Sequence, residues 1–534
     1  MTLPAKPTPA VPWGLRPIGP IPTLLVGMLA LLGPAWLFYD LIGHYHLFSD
    51  DFEYVASSRN LGRAVAKFFV PHNSHVVPVW RLLTWAVTAT AGSLAALQGA
   101  LNWAAVSILA ATSILLGRLV ARETGRATIG LAAMVAAGTT SVMLSAATWY
   151  SAGQTLLAGF GTLATLHYLQ GWRRRGGTWR LVAAAVAAVL AGGIWTIGHA
   201  AGPVGAVYLL ADGRRRCLKA AAVPLAATVL AAAVAYFAGI KSLEGARLTT
   251  IHGRTLDEAI GPLQGASHML QAIPENLIFG NLGLLTESTP TQGAVLSAGL
   301  ALAWAGWLRW ARRRPNPLEC AGVALVLIAY WWEWSFRAYF PYSSLRGNMP
   351  WYDTSPQLGA ILFVAGWWTG SSAMRPARSV QLPSRGGALG VLLLEVALIV
   401  LHQPRVDAIF IASVPRMNAA EAKVFLIPSL KLQRARVLAD LRIAWQARHL
   451  ARLDQAEAVA RREGIGLDAI ALAFGRVDAP YLPTYRNAAD MLNLPRKGTM
   501  DDPERVRNQL GEFFEMEPEP TFPLDRFRSL LPRR

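Results

Sequence analysis

Two adjacent carboxylates, Asp50 and Asp51, with Glu53 two residues on, sit just past the first long apolar run of this 534-residue chain. Charge this close to hydrocarbon is costly unless it has a partner or a task. A carboxylate held beside a second one has a raised pKa and can take a proton from a hydroxyl near neutral pH. Downstream, PHNSHVVPVWRLL brings His72, His75 and Arg81 into one short stretch. Two His at this spacing can begin a metal site, but no third ligand is committed, so no metal ligand is assigned and a divalent ion finds no support. Hydrogen bonding to a substrate, or ordering of the loop, is the stronger reading of the pair. Arg81, Arg337 and Arg346, with Arg59 and Arg63 behind them, carry forks that bind phosphate oxygens in pairs. His199, Tyr352 and Asp353 are further polar candidates, each weighed against an ordinary solvated or capping role. Glu333 and Glu395 fall inside apolar runs, where an acid is a candidate by position alone.

The elements that must position these groups are membrane-like. The chain is 53% hydrophobic and 15% charged, with a mean hydropathy of +0.33; a soluble domain carries roughly 25% charged residues. Apolar runs of about 20 residues, the length that crosses a bilayer, recur from residue 22 to residue 403. The net charge of +18 would suggest nucleic acid on a soluble protein. Here the cations sit in short clusters between apolar runs, so they read as cytoplasmic anchors and no nucleic-acid partner is expected. Cys217 and Cys320 both lie beside such clusters, which argues against a structural disulfide or thiol catalysis.

Five clusters carry the topology: Arg118-Arg122-Arg126, Arg173 to Arg175, Arg214 to Arg216, Arg312 to Arg314, and Arg375-Arg378-Arg385. Placing all five inside pairs the spans between them. The expected spans are 22–43, 99–118, 127–147, 153–171, 179–197, 200–212, 218–238, 292–311, 317–336, 356–373 and 387–403. This is an all-α polytopic membrane protein with about eleven crossings in a cell membrane, its N-terminus inside and its C-terminus outside. Residues 1–21 form an inner segment, 22–403 the transmembrane domain and 404–534 a small α-rich outer domain with a partly disordered end. The outer loops are 44–98, 241–290 and 337–355. Residues 76–97 are apolar enough to span, yet counting them breaks the pairing. Pro78 and Arg81 favour a helix lying in the interface without crossing. Tyr54, Ser58, Leu61, Val65 and Phe68 recur at helical spacing, with Arg59, Arg63 and Lys67 along another face, which predicts a juxtamembrane helix over 54–68.

The acidic pair after the first span, the juxtamembrane helix and the stretch HNSHVVPVWRLL follow one another in an order that resembles the GT-C superfamily of membrane glycosyltransferases. The nearest likeness is to protein O-mannosyltransferases and to mannosyltransferases with tetratricopeptide tails. ATWYSAGQTLLAGF at 147–160 resembles that family's Trp-bearing outer turn, and WTIGHAAGPVGAVYLLADG at 195–213 its turn into a short helix. Relatives often carry Lys-Glu at that turn, where this chain has Gly198-His199. RAYFPYSSLRGNMPWYDTSPQLGAILF at 337–363 resembles the late outer loop. The tail carries no legible tetratricopeptide repeat.

The resemblance implies a GT-C-like bundle that transfers a sugar from a polyprenyl-phosphate donor to an acceptor hydroxyl on a glycan, lipid or protein. It implies Asp50 and Asp51 as catalytic residues, Asp51 favoured as base. Arg81, His72, His75, His199, Arg337, Arg346, Tyr352 and Asp353 would then meet the donor phosphate and sugar. No cofactor beyond the donor lipid is assigned. Two other readings stay open. A transporter of a lipid-linked or polar substrate would show broken helices and mid-membrane ionisable residues. A non-catalytic assembly protein would carry an enzyme-like membrane domain without its chemistry.

Overall fold

A computed structural model describes residues 16–37, 54–55, 57–58, 60–72, 75–91, 94–244, 261–282, 289–335, 350–369 and 380–413. The catalytic candidates Asp50 and Asp51, the candidates Arg337 and Arg346, and the tail from 414 lie outside these residues. The described residues are helical, without a strand; their extended contacts are isolated bridges such as Pro17 with Ser384 and Arg126 with Gln381.

The chain opens with α1 (Pro20–Leu37), then the short helices α2 (Leu61–Ala66) and α3 (Pro78–Ala89). Next come α4 (Leu94–Thr124), α5 (Ala127–Thr139), α6 (Ser141–Thr148) and α7 (Gly153–Arg175). Helix α8 (Thr178–Ile194) leads through a tight turn, Thr196–Ala200, into α9 (Ala201–Leu210) and α10 (Arg215–Glu244). Helix α11 (Pro262–Ala272) widens into a π-helical turn, Ile273–Phe279, and is followed by α12 (Pro290–Trp310) and α13 (Pro317–Ser335). A 3-10 turn, Pro350–Asp353, opens α14 (Thr354–Thr369), and α15 (Arg385–Ser413) closes the described chain.

Within the described residues, each of the eleven apolar runs falls on a helix or a broken pair of helices. Among the described residues, three helices are long and apolar enough to cross a membrane: Gly99–Thr124, Arg215–Ala238 and Arg385–His402. Helices α5 and α6 add a fourth if the pair is one span.

The run 127–147 is not one straight helix. It bends by 54° between α5 and α6, where Thr140 is extended (φ −73, ψ 143). The local sequence Gly138-Thr139-Thr140-Ser141 concentrates hydroxyls that compete for backbone groups, and Thr139 Oγ1 turns back onto the Val135 carbonyl at 2.7 Å. The freed N–H of Ser141 donates to Nδ1 of His402 on α15 at 3.3 Å, so a distant helix supplies the cap. The juxtamembrane helix is also shorter than its pattern: Asn60 caps the backbone N–H of Arg63 at 2.9 Å and starts the six-residue α2 there, leaving Tyr54 and Ser58 outside it. Helix α3, begun by Pro78, has 12 residues; at 1.5 Å per residue it is about 18 Å long, too short to cross a hydrocarbon core of roughly 30 Å. Helix α15 continues past the expected domain boundary at 403.

The main core gathers α4, α7, α8, α9, α13 and α14 around side chains such as Leu116, Leu163, Leu166, Val204, Leu325 and Leu358. Small residues let backbones approach: a Cβ on Gly322 would meet the Gly359 carbonyl at 2.5 Å, which is what brings α13 and α14 together. The antiparallel alternation of α7, α8, α13 and α14 gives the bundle two distinct ends. One holds the basic clusters: Arg174 bonds the Arg122 carbonyl and Arg216 the Arg173 carbonyl. The other holds the turns 149–153, 195–200 and 350–354, together with α2, α3 and α11.

Candidate functional site

The end opposite the basic clusters carries two buried polar groupings. The first is built on Tyr54, which is fully buried. Its hydroxyl reaches Gln154 Oε1 at 3.5 Å, and its ring lies 4.6 Å from that of His72. Arg81, 1% exposed, stands over the same ring at 5.6 Å and donates to Ser57 Oγ at 2.5 Å and to the Val70 carbonyl at 3.5 Å. Helix α3 sets this up by turning Trp80, Arg81 and Thr84 inward. Thr84 gives its proton to the Trp80 carbonyl at 2.9 Å and so accepts from Tyr150 across the site, also at 2.9 Å.

His72 and His75 exchange both backbone hydrogen bonds at 2.8 Å, which pins the loop between them. Their rings part company. His72 packs on Tyr54, whereas His75 packs on Trp195 with ring centroids 3.8 Å apart, its Nδ1 bonded to Thr196 Oγ1. A metal shared by both has no third His, Cys, Asp or Glu beside it among the described residues. The pair orders a loop and docks it on the 195–200 turn.

That turn is pressed onto α8. A side chain at Gly198 would collide with the Ala191 carbonyl, and one at Gly192 with the His199 ring. His199 is 7% exposed, lies 6.0 Å from the ring of Trp332, and its Nδ1 has no partner. Burial holds its pKa down at about 4, so the imidazole is neutral at pH 7. The indole N–H groups of Trp80 and Trp195 are likewise buried without a partner. An indole nitrogen can only donate, so the unmet groups of Trp80 and Trp195 are donors at the same bundle end as the Arg81 guanidinium.

The second grouping centres on Asp353, 4% exposed. Its Oδ1 accepts from Tyr330 of α13 at 2.7 Å and from Asn276 of the π-turn at 3.0 Å. Asn281 donates to Gln357 Oε1 and to the Leu277 carbonyl, both at 2.8 Å. Its own Oδ1 is buried without a partner. Glu275, Glu333 and His268 are buried on the same elements. Trp149 meets Trp351 edge to face at 4.6 Å, with Tyr352 at 5.9 Å from Trp351. π-turns inside helices recur at functional positions, and this one aims Asn276 at Asp353. The two groupings adjoin at the start of α7, where Gln154 reaches Tyr54 and Thr155 Oγ1 bonds Thr354 Oγ1 at 3.2 Å.

The structure therefore brings His72, His75 and Arg81 into the first grouping and Tyr352 and Asp353 into the second. His199 lies against Trp332, and Trp149 and Tyr150 line the turn between. Sequence reasoning missed Gln154, Asn276, Asn281, Tyr330 and Gln357. The available signal was a polar side chain in or beside an otherwise apolar segment, as at Gln154 and Gln357. No family model, curated protein or solved structure matches the chain.

Proposed function

We propose that this chain is a multi-spanning membrane glycosyltransferase of GT-C type that uses a polyprenyl-phosphate sugar. One observation carries the reading: buried Arg81 lies at the bundle end away from the basic clusters, where the buried indole N–H groups of Trp80 and Trp195 have no partner. A buried guanidinium and indole N–H donors suit a phosphate leaving group, whose negative charge they stabilise without reorganising. In this reading of about eleven crossings, the basic clusters mark the cytoplasmic end and the site faces the outer side of a cell membrane.

In the reaction, an acceptor hydroxyl oxygen bonds to the anomeric carbon. The bond from that carbon to the phosphate oxygen breaks, and its electron pair leaves with the polyprenyl phosphate. The hydroxyl proton passes to a carboxylate, assigned to Asp50 or Asp51, whose neighbour Tyr54 is buried in the first grouping. His72 and His75 hold the loop that carries Arg81's neighbours, and Arg337 and Arg346 are further phosphate contacts in this reading. No metal enters these steps.

The test follows donor loss in nanodiscs holding the full chain and a panel of polyprenyl-phosphate sugars. Wild type is expected to consume one donor, and Asp50→Asn, Asp51→Asn or Arg81→Ala to stop it while remaining folded. Failure to bind or consume any donor would leave the transporter reading ahead, because the broken α5–α6 pair and the buried Glu395 on α15 are features a transporter uses.

A further inference from the structure

We infer that the second grouping, around Asp353, Asn276 and Asn281, is the acceptor subsite and that it takes a neutral, polyhydroxylated sugar. The inference rests on the transferase reading for which substrate the site serves, but its chemistry is argued from the groups themselves.

The two groupings differ in what they ask of a ligand. Around Arg81 the unmet groups are donors. Around Asp353 they include an acceptor: Asn281 spends its amide protons on Gln357 and Leu277, and its Oδ1 is buried with no partner. A phosphate oxygen cannot satisfy an orphan carbonyl oxygen, whereas a hydroxyl can. The Asp353 carboxylate repels a phosphate for the same reason and accepts well from hydroxyls. His199 Nδ1, also buried and unpartnered beside Trp332 of the same α13, exchanges roles with its tautomer and suits a group that both donates and accepts. A sugar hydroxyl does both. Planar carboxylate and amide side chains bridge neighbouring hydroxyls, and the Trp149–Trp351 pair offers apolar faces to ring C–H groups. A peptide acceptor would instead call for a sheet edge or a row of backbone partners, and the described residues form no strand. The position also fits: the two groupings adjoin where Thr155 Oγ1 bonds Thr354 Oγ1.

The experiment measures saturable binding to the full-length protein in nanodiscs by tryptophan fluorescence and saturation-transfer NMR. The probes are neutral methyl glycosides, a Ser/Thr-containing peptide and unglycosylated polyprenyl phosphate. At least one glycoside is expected to bind in the millimolar range, a free energy of about −4 kcal/mol. Asp353→Ala and the milder Asn281→Ala are expected to weaken it by about tenfold, with polyprenyl phosphate binding within about twofold of wild type. Arg81→Ala should do the reverse. Binding of the peptide but no glycoside overturns the proposal, as does glycoside binding that ignores both Asn281 and Asp353. The two ideas fail separately: glycoside binding without polyprenyl phosphate binding sinks the lipid-donor reading and leaves the sugar subsite standing.

Discussion

The two ends of the bundle bury polar groups of opposite kind. At the basic end, Arg173 bonds Glu123 at 2.6 Å and Asp212 at 3.2 Å, with both partners' side chains nearly inaccessible. Tyr208 and Gln170 each donate to Glu123 Oε2 at 2.8 Å, Arg214 reaches Asp212 at 2.9 Å, and the Cys217 thiol lies 3.1 Å from the same carboxylate. Charge is met by opposite charge and carboxylate oxygens by donors. The far end buries Arg81 and the carboxyls of Asp353, Glu275 and Glu333 among amides, hydroxyls, a neutral histidine and indoles, with no ion pair among its described residues, and leaves Trp80, Trp195, His199 and Asn281 with unmet groups. A network whose buried charges are all paired fixes helices against one another, even though Gln170 Oε1 within it is unmet. Unmet buried groups cost stability and persist where a ligand completes them. The contrast separates a structural clasp from a binding region without reference to any relative.

The largest effect should come from breaking the clasp. Arg173→Leu strands Glu123 as a buried anion and leaves Asp212 with Arg214 as its ion-pair partner, and losing one partner of a buried pair costs about 3–5 kcal/mol. Thermal unfolding in detergent should show it, with ligand affinity at the far end changed little in the folded fraction. A loss of affinity as large as that of Arg81→Ala would erase the distinction between the ends.

Arg81→Ala probes the far end in the opposite sense. Removing a fixed donor from a site where charge develops typically costs about 10²–10³ in rate. The change should fall on donor turnover and polyprenyl phosphate binding far more than on melting temperature. If melting fell as steeply as for Arg173→Leu while phosphate affinity held, Arg81 would be a second clasp.

His199 gives a pH signature. Its folded pKa is depressed from 6.5 to about 4 by burial. Between those values the unfolded chain takes up a proton that the folded chain refuses. Stability is therefore fully present above pH 6.5 and declines as pH falls toward 4, by about 2–3 kcal/mol at most for one such group. Urea midpoints across this window should slope for wild type and flatten in His199→Gln. An equal slope in the variant would assign the effect to other groups. A bound glycoside that hydrogen-bonds the neutral ring should steepen the slope.

What the sequence disclosed follows from range. Apolar runs predict helices because a continuous stretch of Leu, Val and Ala carries the signal within itself, and the described part of every expected run is largely helical. Arg81, His72 and His75 could be chosen because cations and imidazoles are conspicuous next to an apolar segment. The partners that complete the sites were hidden by distance: Asn276 and Tyr330 meet Asp353 from 77 and 23 residues away. Glu123 and Asp212 were not singled out, although each stands beside an Arg cluster in the sequence. The 54–68 pattern was read as one helix because periodicity does not register the Asn60 cap that restarts it.

The break at Thr140 was the least legible of all, and it offers the smallest and most discriminating test. Helix α5 starts beside Arg126 at the basic end, and α6 leads to Trp149 at the other, so the bend lies on the covalent path between the two regions. Its cap comes from His402, 261 residues on, whose Nδ1 receives the Ser141 N–H at 3.3 Å. His402→Ala removes an N-terminal cap, a loss of about 1 kcal/mol. His402→Asn, with a shorter side chain, should recover part of it only if α15 moves closer. If the two ends are independent, the loss appears in unfolding alone and glycoside affinity stays within about twofold, because Trp149 remains held by Trp351. If affinity drops by about tenfold, a difference of roughly 1.4 kcal/mol, the bend transmits between the ends and α15 acts on the binding region. The clasp and the site would then be two parts of one device, and the same substitution should shift the labelling rate of Cys217 at the basic end.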